Sequence, residues 1–299
     1  MNMIELRSVT KYFDTYPALN ALDLAVPQGA VYGLIGPNGA GKTTAIRHIA
    51  GMLRQDEGEV LLSGESIFEN ESVKERIFCI ADEPYAFPLA STRDMMEFYR
   101  QMYPRFDAGR YEKLRDAFSL DEKRPIRRLS RGMRKQAAFW LALSARPEVL
   151  VLDEPVDGLD PVMRRQVWSL IMGSVAEMET TVLVSSHNLR ELEDVCDYVG
   201  ILQKGRCLLE RSVADLQEST VKVLLALPDG GELPEGLNVL HESAAGQLRT
   251  LILRGREEEL TEKLQSAQPL CLEAQPLTLE EIFIYEMGGA DYAVKDILL

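Results

Sequence analysis

The 299-residue chain predicts an α/β fold with a mostly parallel sheet, followed by a small α+β unit, and three observations carry that prediction. A glycine-rich loop, "GPNGAGKTT", lies between an apolar strand-like run and a segment with helical periodicity. "EVLVLDEP" and "TTVLVSSH" are continuous rather than alternating apolar runs, the pattern of strands buried on both faces. Beyond Thr220 the composition shifts, with 14 acidic against 6 basic residues.

Taken in order, the short strands "MIELRSV" and "LDLAV" lead into "AVYGLIG", which ends in the glycine loop. The next segment carries Ile46, Ile49, Ala50 and Leu53 at helical spacing. From about 84 to 128 the pattern turns helical. "STRDMMEFYRQMY" opens on a Ser/Thr cap, and "DAGRYEKLRDAFSL" follows, so a helical subdomain is inserted into the sheet domain. "PVMRRQVWSLIMGSVAEM" reads as the helix between the two apolar strands. In the tail, "VKVLLAL", "LNVLH", "LRTLILRG" and "LCLEAQP" read as strands, while "EEELTEKLQSA" and "TLEEIFIYEM" read as helices. The expected division is 1–218, with its helical subdomain over about 84–145, and an accessory α+β domain over 219–299.

Bulk properties narrow the function. A formal net charge of −14 argues against a general nucleic-acid binder, which needs a phosphate-neutralising surface. No apolar run approaches the roughly 18 residues that span a bilayer, and "MNMIELRSVTKYF" has no targeting pattern, so a cytoplasmic protein is expected. The four cysteines show no CxxC spacing and are expected to be reduced and mostly buried.

The chemistry concentrates in three places. "GPNGAGKTT" fits the P-loop pattern G-x-x-x-x-G-K-[ST] in the required strand–loop–helix setting. Its glycines let successive backbone N–H groups turn onto an anion at a helix N-terminus. Gly36, Asn38, Gly39, Ala40, Gly41, Lys42, Thr43 and Thr44 are therefore the expected phosphate contacts, with Lys42 reaching the terminal phosphates and the Thr43 hydroxyl on Mg²⁺. At the end of the strand "EVLVLDEP", Asp153 suits the metal's outer shell and Glu154 suits a general base that orients water. His187 ends another apolar strand, where an imidazole can sense a γ-phosphate or serve a structural role.

"LSRGMRKQ" is the third place, a basic, glycine-bearing turn in an acidic chain. Together "GPNGAGKTT", "LSRGMRKQ", "VLVLDEP", "DGLDP" and "SSH" occur in the order and spacing of the ATP-binding subunits of ABC (ATP-binding cassette) transporters. The resemblance covers about residues 1–215. The chain looks similar to exporter-type ATPases, whose signature has a basic residue before its glycine and a methionine after it. The resemblance implies the P-loop NTPase ABC-ATPase fold, with an N-terminal antiparallel β subdomain and an inserted helical subdomain.

It also implies roles residue by residue. Phe13, with Tyr12 as the neighbouring candidate, matches the aromatic that stacks on adenine. Ser130 and Gly132 match the signature that closes over ATP held by a second, head-to-tail subunit, and the basic cluster is expected to face that polyphosphate. Asp157 and Asp160 match a loop that joins the two sites, and His187 matches the switch histidine. Asp82, or Glu83, stands where the family has a glutamine or glutamate touching Mg²⁺ and the attacking water. Asp82 is one methylene shorter than either, so a bridging water is expected there.

The implied function is an ATPase subunit that binds ATP and Mg²⁺, pairs with a second cassette, identical or different, and drives a separate membrane permease, with export indicated. It would sit at the cytoplasmic face of the membrane through that permease. A soluble ATPase of the same family acting on ribosomes or nucleic acid is the alternative. A metabolite kinase would have no use for "LSRGMRKQ".

Overall fold

A computed structural model describes residues 1–228, 231 and 233–287. Two compact units make up the chain: Met1–His187 with Val195–Glu210, and Asn188–Asp194 with Arg211 onward.

The first unit has two sheets. Asn2–Phe13 pairs antiparallel with both Tyr16–Pro27 and Glu57–Leu62, and Glu65–Ser66 completes a four-stranded antiparallel sheet. Alternating Ile4 and Leu6, and Leu22, Leu24 and Val26, are buried, so one face of this sheet is sealed in the core. The six-stranded sheet has the order Arg206–Ser212, Tyr198–Gln203, Val31–Ile35, Thr181–Ser186, Val149–Asp153, Ile77–Ile80. The last five strands run parallel. Val31–Ile35, Val149–Asp153 and Thr181–Ser186 are buried at every position, which accounts for their continuous apolar runs.

Helices begin where the sequence supplies caps. Ser91 opens Thr92–Met102 through a capping box with Asp94, and Asp107 caps Ala108–Phe118. Ser130 caps Arg131–Ala145, whose Ala137, Trp140, Leu141 and Ser144 are buried along one stripe. Met133 is only half-buried, and Lys135 and Phe139 join the buried set. The P-loop helix, Lys42–Ile49, is shorter than its periodicity suggested, because Ala50 caps it and Gly51 turns away at φ 65°.

In the second unit, Thr220–Ala226 pairs antiparallel with Leu248–Arg254 and Cys271–Pro276, and Val239–Ala245 forms an edge. Leu260 and Leu264 of the helix Glu257–Gln265 pack on Val221, Val223, Leu225, Leu251 and Leu253. The short helix Arg190–Glu193 belongs here, contrary to the expected boundary at 218. The Arg190 guanidinium meets Glu280 at 2.6 Å, and Glu193 accepts the backbone N–H of Leu279 at 3.0 Å. These tertiary bonds join positions some ninety residues apart, which no local pattern announces. All four cysteines are free, but only Cys196 is buried; Cys79 and Cys207 are half-buried and Cys271 is exposed. That corrects the expectation of mostly buried thiols.

Candidate functional site

The P-loop is a turn that only its glycines allow. Gly41 sits at φ 111°, and a Cβ there would lie 2.8 Å from the carbonyl oxygen of Ala18. No side chain caps the helix that starts at Lys42, so its first N–H groups remain for a ligand. The Lys42 ammonium is 6% exposed and folds back on the carbonyl oxygens of Gly36 and Pro37, with Glu154 at 3.6 Å. Burial lowers its pKa, and the nearby Glu154 and Asp153 only partly restore it. A buried cation beside uncapped helical N–H groups is a donor set suited to polyphosphate.

A cavity of about 440 Å³ surrounds this loop, lined by Phe13, Tyr16, Ala18, Pro37 to Thr44, Asp82, Asp153 and Glu154. Phe13, Asn38, Gly39, Ala40, Gly41, Lys42, Thr43 and Thr44 thus share one wall set, with both exposed aromatics at its rim. Tyr16 was not anticipated, and Tyr12 does not line the cavity. The signal was available in principle: Phe13 and Tyr16 are cross-strand partners across a tight turn, which puts them side by side.

Asp153 and Glu154 leave the same strand with different environments. Asp153 is buried, and its carboxylate accepts from the Ser185 hydroxyl at 2.7 Å. Glu154 has φ 45°, the left-handed region, and its carboxylate lies between Lys42 and His187, with Nδ1 of His187 at 3.0 Å. Asp157 joins Glu154 and His187 in a cluster whose ligand atoms lie within 4.8 Å of one another. The Thr43 hydroxyl and the Asp153 and Glu154 carboxylates are hard oxygen donors of the kind Mg²⁺ takes.

The signature residues stand apart from that cavity: Ser130, Gly132 and Asp160 do not line it. Ser130 caps its own helix by accepting the Met133 N–H at 3.2 Å, which leaves its hydroxyl proton to donate. Gly132 is required by a close approach, since a Cβ would lie 2.7 Å from the carbonyl oxygen of Gly158. Asp160 caps the helix Pro161–Met178, accepting from Val162 and Met163 at 3.0 Å each. The basic cluster differs from expectation. Arg131 and Lys135 both bind Oδ1 of Asp82, at 2.7 and 3.1 Å, so two of its cations are satisfied inside the chain. Burial alone would raise the pKa of Asp82, but the hydrogen bonds and charges of Lys135 and Arg131 outweigh it and hold the carboxyl below its ordinary value.

A phosphate-binding loop and helix, a strand-end Asp–Glu pair and a histidine on the glutamate, set on a parallel sheet, define a P-loop ATPase. Residues 19–157 match the ABC transporter family. The ABC transporter ATP-binding protein YtrB of Bacillus subtilis (strain 168) is 31% identical over 288 residues, covering 96% of this chain and 99% of that protein. The bacitracin transport ATP-binding protein BcrA of Bacillus licheniformis is 30% identical, covering 74% of each. Among solved structures, an ATP-binding subunit of an ABC transporter superposes with TM-score 0.67 at 24% identity, covering 72% of this chain and 92% of that one. A dimeric ATP-binding cassette bound to ADP and Pi gives 0.64 at 20%, covering 71% and 99%. The chain belongs to the ABC transporter family, as an ATP-binding subunit.

Proposed function

We propose that this subunit powers export by closing, head to tail, on a second cassette and driving a separate membrane permease from the cytoplasmic face. The observation that carries the reading is the Glu154 carboxylate, held between the Lys42 ammonium and the His187 imidazole at the cavity that contains the P-loop.

ATP with Mg²⁺ supplies the phosphoanhydride bond and a counter-charge for the phosphates. Lys42 and the uncapped N–H groups of its helix hold the terminal phosphates, and Phe13 stacks on the base while Tyr16 closes its flank. Thr43 and Asp153 hold the metal, Asp153 in one orientation because Ser185 fixes its carboxylate. Glu154 orients the attacking water, and His187 aligns Glu154 through Nδ1. Positioning and charge stabilisation dominate phosphoryl transfer, so small displacements of these groups cost much of the rate.

Ser130 and Gly132 serve the partner's nucleotide, and the loop through Asp160 joins the two sites. Among the described residues no helix is long and apolar enough to cross a membrane, so the transport path is assigned to another chain. A groove of about 710 Å³, with Phe78, Ile80, Tyr85, Tyr99, Met102 and Tyr103 along it, offers an aromatic seat for a helix of that permease. The transporter names of the relatives and the resistance roles printed for two of them, the daunorubicin resistance proteins DrrA3 and DrrA, support export. The second unit is proposed as an accessory domain for dimerisation or regulation.

The test is the mass of the Glu154→Gln chain by light scattering, with and without ATP and Mg²⁺. The proposal expects an ATP-dependent change from one chain to two, abolished by a further change at Lys42 or Ser130. A chain that binds ATP at unchanged mass overturns pairing with its own copy.

A further inference from the structure

Glu154 occupies the left-handed region at φ 45°, which a residue with a Cβ enters at a cost and keeps only where its surroundings fix it. Both polar groups of its backbone are taken. Its N–H donates to the Ser185 hydroxyl at 3.0 Å, and its carbonyl oxygen accepts from Nζ of Lys135 at 2.6 Å. The Lys135 side chain is 0% exposed. An ammonium removed from water needs a counter-charge, and Oδ1 of Asp82 supplies it at 3.1 Å, the same oxygen accepting from Arg131 at 2.7 Å.

We propose that Lys135 is a positioning residue for hydrolysis: its buried ammonium, anchored by Asp82, fixes the main chain of Glu154 so that the carboxylate meets Lys42 and His187. The inference rests on the reading of Glu154 as the group that orients water. Lys135 lies on the helix that Ser130 caps, so a single side chain ties the signature helix to the main chain of Glu154. Asp82 takes a new role in this arrangement. It serves as counter-ion to a cation of its own chain.

The experiment measures kcat, KM, the ATP dissociation constant and the Mg²⁺ half-saturation point for the full chain and for Lys135→Met, Lys135→Arg, Asp82→Asn and the Lys135→Met/Asp82→Asn double variant. Lys135→Met is expected to lower kcat about tenfold to a hundredfold while ATP binding stays within about twofold, because only the placement of Glu154 is disturbed. Lys135→Arg keeps a cation and recovers part of the rate. Asp82→Asn lowers kcat by a smaller factor, leaves Mg²⁺ dependence unchanged, and adds nothing in the double variant, as members of one unit behave.

Full kcat in Lys135→Met overturns the proposal. So does parallel loss of ATP binding and kcat, which marks a general folding defect. A raised Mg²⁺ requirement in Asp82→Asn overturns the counter-ion role and returns Asp82 to the metal. Should Lys135→Met fail to fold, full kcat in both Lys135→Arg and Asp82→Asn overturns it equally. A failure of the underlying reading is distinguishable: Glu154→Gln then hydrolyses ATP at the rate of the unaltered chain.

Discussion

His187 is half-exposed, at 51%, with its Nδ1 3.0 Å from Glu154, so little of the packing rests on it. His187→Ala is expected to lower kcat by about 10²–10⁴ while leaving thermal stability and ATP affinity near those of the unaltered chain, checked by steady-state kinetics beside a melting curve. Gly132 carries a packing constraint. A methyl there meets the Gly158 carbonyl at 2.7 Å, and backbone on both sides cannot yield cheaply. Gly132→Ala should cost about 1–3 kcal/mol of stability, read by denaturant unfolding. At this scale the sequence was clearest where neighbours in the chain act together. Gly36 to Thr44 and the Asp153–Glu154 pair are contiguous, so their chemistry shows in order and type. The bonds from Lys135 to Asp82 and to Glu154 span 53 and 19 positions, and only folding brings those groups together.

Caps and apolar runs set the elements, and their strength can be measured. In the capping box, the Ser91 N–H donates to Asp94 at 2.8 Å while the Asp94 N–H donates to the Ser91 hydroxyl at 3.2 Å. Ser91→Ala should cost about 1 kcal/mol. The backbone and hydroxyl of Ser91 also hold the Asp94 carboxyl below its ordinary value. A carboxyl whose pKa is lower folded than unfolded stabilises the fold fully above the unfolded value, about 3.9 for aspartate, and loses that contribution as pH falls through the folded value. Asp94→Asn should therefore be less stable than the unaltered chain at pH 6, with the gap closing below about pH 4 in paired urea titrations. In the signature helix, Trp140 is fully buried, stacks on Tyr111 at 4.4 Å and donates to its carbonyl at 2.8 Å. Trp140→Ala should cost about 3–5 kcal/mol. Elements with long apolar periods or clear caps were legible. Ile77–Ile80, Tyr198–Gln203 and Arg206–Ser212 were not read as strands; the first two owe their place to pairing with Val149–Asp153 and Val31–Ile35, far from them in the chain.

For the whole molecule, the acidic tail announced a separate unit but not its edge. Sequence placed the boundary after 218, whereas the structure assigns Asn188–Asp194 and everything from Arg211 to the second unit. The Arg190–Glu280 salt bridge lies within that unit and joins segments that composition treats as unrelated. The segment immediately after His187 therefore belongs to the second unit. The most direct test of the account is ATP hydrolysis by the purified chain beside its Glu154→Gln variant, with ATP binding measured on both. The account predicts Mg²⁺-dependent turnover that falls by about a hundredfold or more in the variant while ATP remains bound. Equal turnover in the two proteins would contradict it.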